Sequence, residues 1–348
     1  MTRRPTAARS PHRRRPTAAR RTVVGGRPPL ARRTIIGGYD RRVHRRQSLD
    51  YASLALIWGL SFVLVLNVVQ AFGWVGAVTF RALTASAILV VIALATRRRL
   101  AFGSGWLPLA VVGATTVAGQ LIGLSFATPR IGTAMAAIFV GTIPLFSMVI
   151  GHVWGIERIG RSARIGLFLG FGGIVLLVGF PSAPVTWAFV IGCVSSVFGS
   201  VSAAFGSNYA RRNLRTVGSW EQTIGAFFFG GLMTLPLLVV VPVPTQPQPL
   251  DFLYLLLLAG MCSALAYVLY FRLVAEVGAT LAISVEFAVT VVAVIVGSVL
   301  LGERLSVVQL VGGAVIIAGC ALVLGLTPGG RVSRSAAPAD PPVWPDVS

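Results

Sequence analysis

The sequence predicts an all-α integral membrane protein with ten transmembrane helices, arranged as two inverted five-helix repeats. Its composition, the spacing of its apolar segments and an internal sequence repeat lead to this prediction. Of its 348 residues, 55% are hydrophobic and only 11% are charged. In soluble globular domains about a quarter of the residues are charged. The composition therefore excludes an ordinary soluble domain.

Apolar segments of membrane-crossing length recur along the chain. The hydrocarbon core of a bilayer is about 30 Å thick, so a spanning helix needs roughly 17 to 25 predominantly apolar residues. Arginines and prolines separate the segments, for example at Arg97–Arg99 and Pro242–Pro249. The predicted helices cover residues 51–70, 75–95, 106–128, 131–154, 164–180, 185–207, 217–241, 252–271, 279–301 and 306–326.

The arginines predict how these helices are oriented. All 30 basic residues are Arg, and 15 of them lie in the first 50 residues. Short cytoplasmic loops retain positive charge during membrane insertion. With the N-terminus inside, 27 arginines fall on the cytoplasmic side and only Arg130 and Arg304 fall outside, while Arg81 lies within the second segment. We therefore expect a bacterial inner-membrane protein with both termini in the cytoplasm.

A shift of 146 residues aligns Leu107–Gly179 with Leu253–Gly325 without a gap. The pair Glu157–Arg158 then matches Glu303–Arg304, and three glycines that follow each pair also match. A duplication explains this pattern better than chance similarity between apolar helices. The two repeats take in residues 51–180 and 185–326. Each repeat holds five helices, an odd number, so the second copy is inverted, as in transporters with two alternately opening gates.

Several short motifs follow one another along residues 51–326. They are Trp58-Gly-Leu-Ser-Phe62, Phe80-Arg81, Pro144 thirteen residues before Glu157, and Leu301-Gly-Glu-Arg-Leu305. In order and spacing they resemble the EamA group of the drug/metabolite transporter superfamily. This resemblance implies a ten-helix exporter or importer of small metabolites, without identifying the solute. Thr290 occupies the position that matches Pro144, so the kink often seen there in the family does not follow from this sequence.

Two ionisable residues lie deep in the predicted helices. Such a group costs at least about 2.5 kcal/mol in a bilayer, so it needs a partner, a water-filled cavity or a function. Arg81 could bind a substrate carboxylate or phosphate, but we favour a structural role, in which it reaches the outer headgroups or bonds to backbone carbonyls. Glu286 lies seven or eight residues into its segment. It could carry a proton, pair with a substrate ammonium group, or form a helix–helix hydrogen bond.

Other polar residues are weaker candidates for the substrate path. Glu221 lies near the cytoplasmic end of the seventh segment, and we expect a solvated interfacial acid there rather than a ligand. Tyr267 and Tyr270 share one face of a helix, where they could offer hydroxyl groups and rings to a solute. Core packing is the default interpretation for these tyrosines and for the lesser candidates Gln120, Ser61, Asn67, Thr142 and Ser263.

No motif for enzymatic chemistry appears. The sequence has no phosphate-binding P-loop and no H-E-x-x-H motif. Cys193, Cys262 and Cys320 lie in apolar stretches without a C-x-x-C pattern, which favours buried thiols over a disulfide or a zinc site. We therefore expect no enzyme activity, no cofactor and no metal, with transport driven by ion or solute gradients.

The terminal segments, residues 1–50 and 327–348, are expected to be disordered. The Arg-rich N-terminal segment could adhere to anionic membrane lipids, at about 1 kcal/mol per Arg that reaches the surface. An over-extended gene start is an alternative interpretation. Nucleic-acid binding is disfavoured, because aromatic residues are not interleaved with the arginines. Gly166 and Gly170 favour packing within the bundle, and the sequence leaves open a monomer or a homodimer.

The leading hypothesis is a secondary transporter of small polar metabolites or amino-acid-like solutes. Export is the favoured direction, with proton coupling through Glu286. The rival is a non-transporting scaffold or sensor. In a transporter, the side chains of Arg81, Gln120, Tyr267 and Glu286 should converge on one cavity. In a scaffold, they should point apart into packed interfaces.

Overall fold

The computed structural model describes residues 30–103, 105–155, 160–179, 185–244, 246–277 and 282–323. The chain divides into two compact units, Met1–Arg45 and Arg46–Ser348. In the first unit, residues 30–45 are helical. Across the described residues the regular structure is helical, without β-strands, in agreement with the predicted all-α class. Apart from residues 30–45 of the first helix, the features below belong to the second unit.

The first helix, α1, spans Leu30–Ala95. Pro28 and Pro29 precede it, and no proline follows until Pro108, so nothing in this stretch removes a backbone donor from the helix. Residues 30–50, which the sequence analysis placed in a disordered segment, form the first part of this helix. Residues 1–29 and 324–348, where the other expectations about the tails fall, lie outside the described residues.

Gly73 interrupts α1. Its backbone has φ 72° and ψ 166°, a conformation that glycine adopts without a steric penalty. The apolar part of α1, Leu49–Ala95, is 47 residues long, about twice the length that one membrane crossing needs. The interruption falls between the predicted segments 51–70 and 75–95.

The remaining helices overlap the other predicted segments, with ends that differ by a few residues. In the described residues, five further helical stretches are long and apolar enough to cross a membrane, and two shorter helices are also apolar. A count of ten crossings stays a prediction. The helices are α2 Trp106–Val112, α3 Gln120–Ile131, α4 Thr133–Val140, α5 Ile143–Val153, α6 Arg161–Gly179, α7 Trp187–Asn213, α8 Ser219–Thr234, α9 Leu237–Val240, α10 Pro249–Ala259, α11 Ala266–Val277, α12 Val285–Leu300 and α13 Val307–Val323.

Two π-helical segments join neighbouring helices. Gly113–Gly119 links α2 to α3, and Gly260–Leu265 links α10 to α11. The sequence repeat has an offset of 146 residues, and subtracting this offset from the residue numbers of the second segment gives positions that lie within the first segment. Such segments are rare and often lie at functional sites. Gln120 directly follows the first π-helical segment and Ala266 directly follows the second. The two residues therefore occupy corresponding positions in the two halves.

Pro144 breaks the fourth predicted segment, whereas Thr290 leaves α12 uninterrupted. The helix stops at Val140 and resumes as α5, with Pro144 in its first turn. The Thr290 hydroxyl donates hydrogen bonds to the carbonyls of Glu286 (2.7 Å) and Ala137 (3.1 Å). The threonine thus bridges α12 and α4 close to the break.

Glycines allow α6 and α13 to cross closely. A methyl group at Gly319 would come within 2.6 Å of the Gly166 carbonyl oxygen and of the Gly170 backbone nitrogen. This contact confirms that the glycines of the fifth segment serve packing within the bundle. The three cysteines are buried and free, as the sequence predicts.

Glu303, just beyond the end of α12, holds the start of α4. Its carboxylate accepts hydrogen bonds from the backbone N–H of Thr133 (2.7 Å), from the Thr133 hydroxyl (2.8 Å) and from the N–H of Ala134 (2.8 Å). The first N–H groups of a helix have no partner within the helix and favour a negative charge. The Glu303 carboxylate supplies a hydrogen-bond partner for these N–H groups and a negative charge beside them. It also links the two halves of the chain.

Candidate functional site

A small polar cavity lies between α1, α3, α11 and α12. Its volume is about 50 Å³. The side chains of Arg81, Gln120, Tyr267 and Glu286 all line it, together with Ser61 and apolar residues. The sequence analysis singled out each of these four residues, and the structure brings them together.

A second cavity, of about 30 Å³, adjoins the first. The two share Trp58, Gln120, Tyr267 and Glu286, and the second adds Tyr270. Thr116 and Ser207 contribute hydroxyl groups to its wall. Five of the six main candidates therefore surround one continuous polar region, which we call the central site.

Arg81 is buried and hydrogen-bonded inside the bundle. Its Nε donates to the Ser263 hydroxyl at 2.6 Å, and one terminal nitrogen donates to the Cys262 carbonyl at 3.5 Å. Only 5% of the residue is exposed. The contact with a backbone carbonyl is one of the structural roles that the sequence suggested, whereas the guanidinium does not extend to the headgroups. Among the described residues it has no carboxylate partner within 4.0 Å, so its charge is available to an anion.

Trp58 is a residue of the central site that sequence reasoning did not assign to it. Its indole N–H donates to the Cys262 carbonyl at 3.0 Å. Its ring lies 5.4 Å from Tyr267 and 5.5 Å from Tyr270, between centroids. In the sequence, Trp58 stands out only as the first residue of the family motif Trp58-Gly-Leu-Ser-Phe62. Thr116 and Ser207 were missed as well, because single hydroxyl residues in apolar helices carry no distinctive pattern.

Glu286 lies in the first turn of α12 and is 8% exposed. The sequence analysis placed Glu286 seven or eight residues into its segment. Residues 278–281 of that segment lie outside the described residues, and Ser284 forms a turn directly before α12. The Tyr51 hydroxyl donates to the Ser284 carbonyl at 2.8 Å, and the same carbonyl accepts the backbone N–H of Phe287 at 3.1 Å. Discontinuous helices beside a binding site are a recurrent feature of transporters, since they present helix ends to the solute.

Glu221 does not line either central cavity. Instead it is 6% exposed, in the first turn of α8, and its Oε1 accepts a hydrogen bond from the Ala101 N–H at 3.2 Å. The expectation of a solvated acid is therefore wrong. The carboxylate is buried because it ties the segment after Arg97–Arg99 to α8.

The two halves of the chain contribute matching positions to the central site, but different chemistry. The 146-residue shift relates Leu121 to Tyr267, Leu124 to Tyr270, and Val140 to Glu286. All six residues line the two cavities. In each pair the first half supplies an aliphatic side chain and the second half a polar one, so the polar groups of the second half face an apolar wall.

The central site can hold a small polar or charged group. Arg81 offers a cation, Glu286 an acid, Gln120 an amide, and the aromatic rings offer apolar faces. Within the described residues, no group of three or more His, Cys, Asp or Glu side chains is arranged to hold a metal ion. A water molecule needs a cavity of roughly 10–15 Å³. At about 50 Å³, the larger cavity in this conformation suits a few waters rather than a metabolite.

Apolar helices long enough to cross a membrane surround these buried polar groups, which defines a multi-pass membrane protein. The sequence profile of the EamA-like transporter family matches residues 51–179 and, a second time, residues 190–325. The chain belongs to this family, which confirms the resemblance carried by its motifs.

Some of the related proteins are named as transporters. The chain is 28% identical over 302 residues to YedA of Escherichia coli strain K12, which is named as an uncharacterized inner membrane transporter, covering 85% of this chain and 95% of that protein. PecM of Dickeya dadantii is 29% identical over 273 residues, covering 76% and 87%. A crystal structure of 17% sequence identity aligns with a TM-score of 0.59, covering 80% of this chain and 96% of that chain, which is a likeness of fold alone.

Proposed function

We propose that this protein is a secondary transporter of small polar metabolites or amino-acid-like solutes. The observation that carries the proposal is the convergence of Arg81, Gln120, Tyr267 and Glu286 on one cavity inside a bundle of apolar helices. Ionisable groups are expensive in a membrane and mark solute or proton pathways. A scaffold has no need to gather these four polar side chains around a shared space.

Alternating access between two inverted five-helix repeats is the proposed mechanism. The double match of the family profile supports a duplication, and so do the two π-helical segments at corresponding positions. In such transporters, substrate sites lie near the bilayer midplane, between the repeats. The central site draws residues from both halves, as this mechanism requires. Its small volume fits a conformation that must widen before a solute enters.

Solute chemistry and energy coupling follow from the charges in the central site. Arg81 suits a carboxylate or phosphate group, and Glu286 suits an ammonium group, so one solute carrying both charges could engage both residues. Alternatively, the Glu286 carboxyl carries a proton, which couples transport to the proton gradient. Export is the proposed direction.

The test begins with metabolite profiling of cells with and without the gene. A solute exported by the protein should accumulate outside cells that carry the gene and inside cells that lack it. The leading solute is then measured by uptake into proteoliposomes that contain the purified protein. Protein-free liposomes and liposomes with an Arg81→Gln variant serve as controls. If no solute differs between the cells and none of a panel of amino acids and organic acids enters the vesicles, the proposal is wrong.

A further inference from the structure

An apolar groove lies between α2 and α8, and none of its lining residues belongs to the central site. Its volume is about 280 Å³. Phe102, Trp106 and Leu109 form one wall, and Ile224, Phe228 and Phe229 form the other. Trp106 is 66% exposed and Phe228 is 47% exposed. The groove is thus open at the surface of the bundle and far larger than the central cavities.

A cluster of positive charge stands at one end of this groove. Arg97, Arg98 and Arg99 are exposed. The Arg98 guanidinium lies over the Trp220 ring, 4.7 Å from its centroid. From Trp220, the residues four and eight positions further along α8 are Ile224 and Phe228, so all three share one face of the helix. The groove therefore extends along α8 away from the arginines.

The segment that carries the arginines is held in place. Ala101 donates its N–H to the buried Glu221 carboxylate in the first turn of α8, at 3.2 Å. This bond keeps Phe102 beside the groove. In the part of the chain that the structure describes, none of the three arginines forms an ion pair. Three guanidinium groups against the one carboxylate of Glu221 leave this end of the groove positive.

We propose that this groove binds an anionic phospholipid, with its phosphate at Arg97–Arg99 and an acyl chain between α2 and α8. Basic residues beside the ends of membrane helices attract anionic headgroups. Tryptophans such as Trp106 and Trp220 are typical of the interface where headgroups lie. An apolar groove that begins at the charged end offers the acyl chain close van der Waals packing, which is what favours association inside a bilayer. A zwitterionic lipid has no net negative charge for the arginines, and a free phosphate ion has no acyl chain for the groove. Both should therefore bind more weakly than an anionic phospholipid.

The test uses the purified full-length chain in detergent, titrated with dioleoyl phosphatidylglycerol or dioleoyl phosphatidylcholine. Thermal unfolding reports binding, because a ligand of the folded state raises Tm. Phosphatidylglycerol should raise Tm more than phosphatidylcholine does. Arg98→Gln should remove roughly a third or more of that difference, since it deletes one of three charges. Arg212→Gln is the matched control: it removes an exposed charge elsewhere, on α7, and should leave the difference intact.

A second pair of variants tests the apolar part. Native mass spectrometry should find fewer phosphatidylglycerol molecules retained by Phe228→Ala than by Phe168→Ala, which truncates an exposed phenylalanine of α6. Equal Tm shifts with the two lipids would overturn the proposal. Equal losses in Arg98→Gln and Arg212→Gln would show general surface charge rather than a site. A shift reproduced by inorganic phosphate alone would show a free anion instead of a lipid.

Discussion

At the scale of single residues, the central site places opposite charges on one small cavity. Arg81 and Glu286 both line it, yet in the described part of the chain they form no ion pair with each other. Arg81 is held by Ser263 and the Cys262 carbonyl, which leaves the carboxyl of Glu286 for a proton or a solute. The two residues therefore have separable roles, and variants can distinguish them.

Glu286→Gln is expected to weaken flux driven by a pH gradient. Glutamine keeps the size and polarity of the side chain but cannot take up or release a proton. Flux of the identified solute into proteoliposomes should lose most of its dependence on the pH gradient, while downhill exchange of unlabelled for labelled solute persists. Glu276→Gln, which changes an acid of α11 that lines neither central cavity, is the matched control. Unchanged pH dependence in Glu286→Gln would contradict the proton-carrier role.

Arg81→Leu is expected to destabilise the fold. It leaves the Ser263 hydroxyl oxygen without its buried donor, whereas the Cys262 carbonyl keeps the indole N–H of Trp58. An unsatisfied buried polar group costs about 1–3 kcal/mol. Arg81→Lys should lose less stability, because it retains a cation, although without the fixed fork of donors. Unfolding in detergent, followed by circular dichroism, measures both variants. If Arg81→Leu is as stable as the wild type, Arg81 is not an anchor of α1.

At the scale of helices, two of the contacts that join the halves of the chain involve positions matched by the sequence repeat. One is the carboxylate of Glu303 at the start of α4, and the other is the close crossing of α6 and α13. Both depend on positions that the 146-residue repeat had marked, as an acid–base pair and as glycines. The repeat identified these residues, but it could not show that Glu303 reaches across to the other half, since that contact joins residues 170 positions apart.

Glu303→Gln is expected to destabilise the protein by about 1–2 kcal/mol. The variant loses the charge that favours the start of α4 and replaces one acceptor oxygen with a donor. Glu303→Asp, which keeps the charge but shortens the reach, separates charge from geometry. Thermal unfolding in detergent is the measurement. A Glu303→Gln protein with the wild-type Tm would show that the carboxylate is dispensable.

Gly319→Ala should destabilise the crossing of α6 and α13, because the added methyl group would lie 2.6 Å from backbone atoms of α6. Overpacking of this kind typically costs about 1–3 kcal/mol. Gly172→Ala is the matched control, since nothing lies within 4 Å of a methyl group there. The control should be neutral or slightly stabilised, because alanine favours a helix over glycine by about 1 kcal/mol. Equal effects of the two substitutions on Tm would contradict the close crossing.

At the scale of the whole molecule, orientation in the membrane is the property that the sequence predicts most directly. The arginine distribution predicts that the segment between α7 and α8 lies in the cytoplasm and that the segment between α9 and α10 lies outside. The orientation that follows from the unequal distribution of arginines is established during membrane insertion and involves no tertiary contact. It can therefore be tested without knowledge of the solute.

A single cysteine at Gln246 should react with a membrane-impermeant maleimide in intact cells, whereas a cysteine at Arg212 should react only after permeabilisation. Both positions are exposed. The reporters are placed in a chain whose native Cys193, Cys262 and Cys320 are replaced by Ala, and the cysteine-free chain controls for background labelling. Labelling of the cysteine at position 212 in intact cells would contradict the proposed orientation.

The helical membrane class, the approximate helix positions, the family and most of the polar residues of the central site could be predicted from the sequence alone. These properties depend on local composition and on spacing along the chain, which the one-dimensional pattern records. The tertiary structure decided which polar residues meet. It brought Trp58 and Ser207 to the central site, and it placed Glu221 against Ala101 instead. Such contacts depend on how separate helices rotate and pack, because a helical period specifies a face but not the neighbour that covers it.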